Sequence, residues 1–298
     1  MANWEGKTRG GQFGYLFFIK MIKYLGINVA YAFLAFVVVY FIPFAPKATA
    51  CTWRYARHTL GLSRFKSILM LFRNYYRLGQ TLIDKIAIGG GMTGKYKFKF
   101  ERYQDFLDIL NSNQGVVMIG GHIGNWEIGA PFFGEYGKKI NIVMYDAEHQ
   151  KIKEMLEKNS TGHDYKVIPV NNDNLTHVFQ ITEALNNHEY VCFQGDRYVN
   201  AEKLLTTRFM GRKADFPAGP FLLASRLKVP VVFYFAMREK HRTYHYRFTM
   251  AEPVVRTKDK KPEQALLEQY VANFEKILKQ YPEQWFNYYD FWKKQDPI

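Results

Sequence analysis

Cysteine is nearly absent from this 298-residue chain, and its two residues, Cys51 and Cys192, stand far apart. Neither falls in a Cys-x-x-Cys or mixed Cys/His spacing, which excludes a disulfide scaffold and a structural zinc site and predicts reduced, buried thiols. There is no His-Glu-x-x-His and no cluster of carboxylates, so neither a metal nor a cofactor is expected. His149, His163, His177 and His188 lack any partner pattern, and Asp146 and Asp164 make poor ligand candidates. No Gly-x-Ser-x-Gly turn occurs and no base neighbours Cys192, so a covalent nucleophile is not indicated. Repeats, low-complexity tracts and flexible linkers are missing as well. So are zinc-finger, RNP-like and basic-zipper patterns, which argues against nucleic acid as the partner.

Acidic residues are also in short supply: 27 Asp and Glu face 41 Lys and Arg, a net charge of +14. Such a balance attracts polyanions, among them anionic lipid headgroups and acidic carrier proteins. What the chain has in abundance is aromatic side chains, 17% of residues, including 25 Phe and 21 Tyr. Many belong to a core, but rings with a polar tip also suit membrane interfaces and apolar ligand tunnels. A membrane surface accounts for charge and aromatics together.

From Tyr24 to Pro46 no charged residue appears, and the run is long enough to cross a bilayer or to lie in one leaflet. A buried core helix passes the same test. Ala48-Thr49-Ala50 is the one stretch resembling a signal-peptide cleavage site, a poorer reading of so long a run. Lys20 and Lys23 precede the run; Lys47, Arg54, Arg57, Arg64, Lys66 and Arg73 follow it. The larger cluster after it predicts that residues 47–298 face the cytoplasm. Residues 51–87 continue helical, basic and aromatic, as a helix pair against headgroups would. The expected organisation is therefore an N-terminal part, 1–90, with the hydrophobic segment 24–46, and a catalytic domain, 91–298.

Beyond residue 90 the periodicity alternates. Strands are expected at 95–100, 116–119, 140–144, 165–170, 190–193 and 229–237, with an edge strand at 244–250. Helices are expected at 103–111, 148–159, 175–185, 220–227 and 262–280. This is α/β order, a largely parallel sheet wrapped by helices.

One stretch carries more chemistry than the rest. Residues 115–127 run from a buried apolar strand (Val116 to Ile119) through Gly120-Gly121 to His122, and place Glu127 five residues on. Histidine suits proton transfer near neutral pH, and a carboxylate fixes its tautomer and stabilises its charged form. Five residues span about 500° of a helix, so the two side chains meet only if His122 sits on the turn and Glu127 in the first helical turn.

His-x4-Glu after a Gly-Gly turn resembles the His-x4-Asp/Glu box of the glycerolipid and lysophospholipid acyltransferases, and within them the lipid A late acyltransferases (lauroyl and myristoyl transferases). Four further blocks follow in family order: Phe193-Gln194-Gly195-Asp196-Arg197; Phe209-Met210-Gly211-Arg212 with Phe216-Pro217-Ala218-Gly219-Pro220; Leu223-Ala224 through Val229-Pro230-Val231-Val232; and Tyr281-Pro282-Glu283-Gln284-Trp285. The chain departs from the pattern at Gly195-Asp196-Arg197, where Pro-Asp-Gln is usual, and at Trp285-Phe286-Asn287-Tyr288-Tyr289, where many lipid A enzymes have Trp-x-His-Arg-Arg.

The resemblance implies a glycerolipid acyltransferase-like fold and transfer of a fatty acyl group from acyl carrier protein or acyl-CoA to a hydroxyl of a glycolipid or phospholipid. A lipid A precursor ranks first as acceptor, and the inner membrane is the implied location. His122 would be the general base and Glu127 its orienter, with direct attack of the hydroxyl on the thioester carbonyl. Backbone N–H groups near Gly124 and Asn125, or an arginine, would face the oxyanion. Asp196 and Arg197, after a strand end, would support the site or bind phosphate; a surface ion pair is the plainer alternative. Arg212 and Lys213 would bind phosphate or a carrier protein, or remain solvated loop charges. Phe132-Phe133, Phe216 and the aromatic N-terminal helices would line an acyl groove. Acyl transfer to another acceptor (an amino-lipid, an aryl polyene or a lysophospholipid) stays open on the same fold. A non-catalytic basic protein binding membrane or nucleic acid is the alternative from another class, and leaves the His box unexplained.

Overall fold

The computed structural model describes residues 11–129, 137–145, 165–170, 175–198 and 203–292. The helix expected at 148–159, the Phe132-Phe133 pair, His149, His163, Asp146 and Asp164 lie outside them.

Among the described residues, nine strands form two sheets. The larger contains β1 (Lys97–Glu101), β2 (Val116–Gly120), β3 (Ile140–Tyr145), β4 (Tyr165–Val170), β5 (Tyr190–Gln194), β8 (Val231–Arg238) and β9 (Thr243–Met250), in the order β1-β9-β8-β2-β5-β3-β4. Five neighbouring pairs are parallel and one, β8 with β9, is antiparallel. Every residue of β2 and β8 is buried, which explains why both read as unbroken apolar runs rather than alternating ones. β6 (Leu204–Phe209) and β7 (Arg212–Pro217) pair as a separate antiparallel hairpin.

The strand at 243–250 is not an edge strand as its alternation suggested. It lies between β1 and β8, and the edge on that side is β1, whose Lys-Phe-Lys-Phe-Glu sequence carries the charges that protect an exposed edge. Alternation reports which faces of a strand are covered, not whether both its sides are paired.

The described helices are α1 (Gly11–Leu25), α2 (Ile27–Phe44), α3 (Pro46–Arg54), α4 (Arg64–Gly89), α5 (Tyr103–Asn111), α6 (Thr176–Asn186), α7 (Ala218–Leu227) and α8 (Pro262–Gln280). The apolar run of 24–46 is broken at Gly26, so only Ile27–Phe44 is long and apolar enough to cross a membrane. That helix buries Ile27, Ala30, Leu34 and Val38 at helical spacing and packs on α4. Its other side is bare: Phe36, Val39 and Tyr40 are 75%, 63% and 66% exposed. Of the aromatic residues between 51 and 87, Tyr55 and Tyr75 are core residues, whereas Phe65 is exposed.

Two apolar cores flank the large sheet. One gathers α8, the hairpin and the Trp285–Trp292 segment; the other joins α2 and α4 to α5 and to the inner faces of β8 and β9. The N-terminal helices thus share a core with the sheet.

Candidate active site

The parallel register of β2 and β5 assembles the site. Gly120 pairs with Gln194, so two residues further along each strand His122 and Asp196 emerge side by side at the carboxyl end of the sheet, where open α/β sheets bind ligands. Their separation of 74 residues in sequence is closed by strand pairing alone.

Asp196 is 2% exposed, and three donors converge on its carboxylate. His122 Nδ1 lies 2.8 Å from Oδ1, the His122 backbone N–H is 3.0 Å from both oxygens, and Trp285 Nε1 donates to Oδ2 at 3.0 Å. Burial alone would raise the Asp196 pKa; the His122 ring, the Arg197 charge and the Trp285 donor outweigh it and hold the carboxyl below its usual range. An ionised carboxylate only accepts, so Nδ1 is the donor in this contact, and in a neutral ring the lone pair lies on Nε2. Among the described residues nothing hydrogen-bonds Nε2, and the His122 side chain remains 22% exposed.

Close approach of the two strand ends needs a residue without a side chain at 121. A Cβ there would lie 3.0 Å from the Tyr270 hydroxyl and 3.4 Å from Asp196 Cγ. Tyr270 in turn donates to the Gly120 carbonyl at 2.9 Å.

The closing block holds the histidine turn from the other side. Phe286 N–H donates to the His122 carbonyl at 2.8 Å, Gly124 N–H to the Gln284 carbonyl at 3.0 Å, and Ile123 bridges Trp285. Gln284 is clamped to the backbone of Arg238 in both directions, at 2.9 and 2.7 Å. Asn74 of α4 donates to the carbonyls of Glu283 and Trp285, and Arg197 Nη2 to that of Phe286 at 3.1 Å. Tyr289 donates to the Asp196 carbonyl at 2.8 Å.

Several expectations change. The carboxylate on His122 is Asp196. Glu127, in a 3₁₀ turn (Trp126–Gly129), pairs with Lys85 instead. Lys85 keeps about a third of its side-chain exposure, yet enough protein surrounds its ammonium to push its pKa down to about 8. The amides of Gly124 and Asn125 are not open to an oxyanion, since they donate to Gln284 and to the Ala236 carbonyl, the latter at 2.8 Å. Gly124 is there for its φ of +65° and because a Cβ would lie 2.2 Å from Ala236 O. The Asn125 side chain turns inward, to Thr81 O and Tyr244 Oη. Arg212 sits apart from His122, stacked 5.1 Å over Trp292. Phe216 is fully buried among core rings and lines no groove.

Sequence reasoning missed a buried polar knot beneath the loop. Asp84 on α4 accepts from Arg238 Nε at 2.7 Å, Tyr96 at 3.0 Å and Tyr244 at 2.5 Å, and also from Tyr31 of α2. Asp84 is completely buried and Arg238 is 4% exposed. Burial alone would lower the Arg238 pKa, but Asp84 raises it. The signal was available: Asn74, Thr81 and Asp84 fall on the broad buried side of α4 with Leu71 and Ile88, where a carboxylate demands a partner.

Cys51 and Cys192 form no disulfide, and burial pushes the Cys192 thiol up to about 12, which makes it a poor nucleophile. Among the described residues no group of His, Cys, Asp or Glu is placed to hold a metal.

A histidine at a strand end, held by a buried carboxylate, has the geometry for proton transfer, and comparison with known proteins supplies the reaction class. A comparison with curated proteins found no match. The model of the bacterial lipid A biosynthesis acyltransferases matches residues 70–294, about three quarters of the chain, with the strand ends, the His122 loop and the closing block inside it. The chain belongs to the bacterial lipid A biosynthesis acyltransferase family.

Proposed function

We propose that this protein transfers a fatty acyl group from a thioester donor, acyl carrier protein or acyl-CoA, to a hydroxyl of a lipid A-type glycolipid. His122 Nε2 removes the hydroxyl proton, the oxygen attacks the thioester carbonyl, and the thiolate leaves with the proton that the imidazolium returns. Asp196 holds the ring through Nδ1 and stabilises the imidazolium. One observation carries the reading: the 2.8 Å contact of Nδ1 with a buried carboxylate, which leaves Nε2 as the basic atom at the sheet's carboxyl end.

Glu127 is the second carboxylate of the box, and its partner is Lys85. Comparing Glu127→Gln with Lys85→Met separates two parts it can play. Equal losses of kcat mean that the pair acts as a unit fixing the loop on α4; a loss confined to Glu127→Gln means that the carboxylate itself acts. Arg197, one residue past Asp196 and bonded to the closing block, is the proposed electrostatic support for developing negative charge.

The bare face of α2 and the cationic balance of the chain support seating of the N-terminal helices on the inner membrane, with the catalytic part on its cytoplasmic side.

The test is lipid mass spectrometry on cells expressing wild type, His122→Ala or Asp196→Asn at matched levels. Loss of one acyl unit from a glycolipid class in both variants is expected, and the mass difference names the chain. An acyl profile that His122→Ala leaves as in wild type sinks the base assignment.

A further inference from the structure

A cleft lies one layer of side chains from Asp196, on the far side of Tyr289. Its walls come from three places: the end of α3 with the π-turn that follows it, the turn of the β6–β7 hairpin, and residues 287–292. Tyr289 is shared with the candidate site through its bond to the Asp196 carbonyl, but no residue of the lining hydrogen-bonds His122 itself.

Its charge is lopsided. Arg54, His58 and Arg212 line it, against a single carboxylate among the lining residues, Asp290, whose Oδ2 lies 3.0 Å from Arg54 Nη2. The Arg212 guanidinium is fixed by stacking over the Trp292 ring, with Nη1 3.5 Å from Thr59 Oγ1.

The polar atoms of the wall are incompletely used. Arg54 Nε, the Tyr55 hydroxyl, Asn287 Oδ1 and Trp292 Nε1 are all sealed from bulk solvent and have no hydrogen-bond partner among the described residues. All four residues line this cleft. Leaving buried polar groups unpaired costs free energy, so a cluster of them at one cavity marks a place that something else completes. Three of the four are obligate or ready donors, and the Asn287 amide offers a fourth on rotation. Donors with two arginines and a histidine match a group that only accepts and carries negative charge at several oxygens.

The backbone is specialised at the same spot. Tyr55–Thr59 is one turn of π-helix, closed by Leu60 N–H on the Tyr55 carbonyl at 3.0 Å. Single π-turns are costly and recur at functional sites. This one turns Tyr55 into the core against Trp285 while keeping His58 at the mouth of the cleft.

We propose that this cleft binds the phosphate group of a phosphate ester, anchoring one substrate beside the acyl-transfer centre. Its use in acyl transfer rests on the proposed function; binding of phosphate does not. Two sources share this chemistry, the headgroup of a phosphorylated glycolipid acceptor and the phosphopantetheine of the donor.

The experiment is titration of the full chain in detergent with inorganic phosphate at constant ionic strength, read by tryptophan fluorescence and by thermal unfolding. Saturable binding that chloride does not reproduce is expected for wild type. Arg212→Gln should weaken it by about tenfold, the loss of one charge-assisted contact. His58→Gln, at an exposed position whose replacement leaves the core intact, should weaken it severalfold. No saturable phosphate effect in wild type, or equal affinity in wild type and both variants, overturns the proposal. His122→Ala protein should bind phosphate as wild type does, so an error in the base assignment leaves this result untouched. Competition then separates the sources: displacement by coenzyme A assigns the cleft to the donor, displacement by glucosamine 1-phosphate to the acceptor. Displacement by neither overturns its assignment to a substrate.

Discussion

In the proposed reaction Asp196 orients the His122 ring as the base, and its replacement should show the loss in kcat rather than KM. Asp196→Asn keeps the shape but presents an amide to Nδ1, removing both the tautomer preference and the charge. General-base assistance is worth about 10²- to 10⁴-fold, and a drop in that range, measured with saturating acceptor, is the expected result. The same carboxyl has a stability signature. Its folded pKa lies below the ordinary 3.8, so its contribution is complete above that value and is lost as the pH falls below it. Thermal unfolding from pH 6 to pH 3 should show a steeper acid loss in wild type than in Asp196→Asn. Lys85 titrates at the other end. With its ammonium pKa near about 8, the pair with Glu127 weakens as the pH rises through that value. The alkaline fall of kcat should therefore move upward in Lys85→Arg, whose guanidinium stays charged; an unmoved profile excludes the pair from the rate. The His122–Glu127 box was legible as a motif because its residues stand together in a short stretch. The hydrogen bond to Asp196 was not, since two positions 74 residues apart become neighbours only through the register of β2 and β5.

At the scale of elements, a loop is made rigid by what packs beneath it. Gly124 turns the His122 loop where β8 passes close, and Gly124→Ala must both adopt positive φ and displace the Ala236 carbonyl. A loss of stability of about 1–3 kcal/mol is expected for such strain, with activity falling further than Tm because the loop carries the proposed base. The Asp84–Arg238 pair joins α4 to β8 and, through Tyr31, to α2. Removing one partner leaves a buried charge, so Asp84→Leu should cost about 3–5 kcal/mol in chemical denaturation. The double variant Asp84→Leu with Arg238→Met should cost less than that single change; a double variant worse than the single one would show that the tyrosine hydroxyls, not the charges, dominate. Most elements were readable from periodicity: the helix at 103–111, the strand at 165–170 and the helix at 262–280 fall where the pattern put them. The β6–β7 hairpin was not, because Arg212 and Lys213 read as loop charges, and its Met210-Gly211 turn is set by positive φ at both positions rather than by a standard turn dipeptide.

For the whole molecule, the distribution of apolar surface matters more than its amount. The chain carries +14 and turns a row of bare rings outward on α2. Burial of one such side chain in lipid is worth about 1.5–3 kcal/mol, so Phe36→Asp together with Tyr40→Asp should weaken liposome flotation by well over tenfold. Added salt should weaken binding to anionic vesicles and leave the apolar part; flotation unchanged by the double substitution would move the contact elsewhere. Local chemistry written in the sequence settled which segments are buried strands and helices, that the chain is cationic and aromatic, and that a histidine box ends a strand, because periodicity, charge and short motifs act within a few residues. Tertiary structure alone decided that β9 is interior, that Asp196 rather than Glu127 meets the His122 ring, that Asp84 is buried with Arg238, and that four unpaired polar atoms border one cleft. Each depends on strand order and packing between distant segments, which no local pattern encodes.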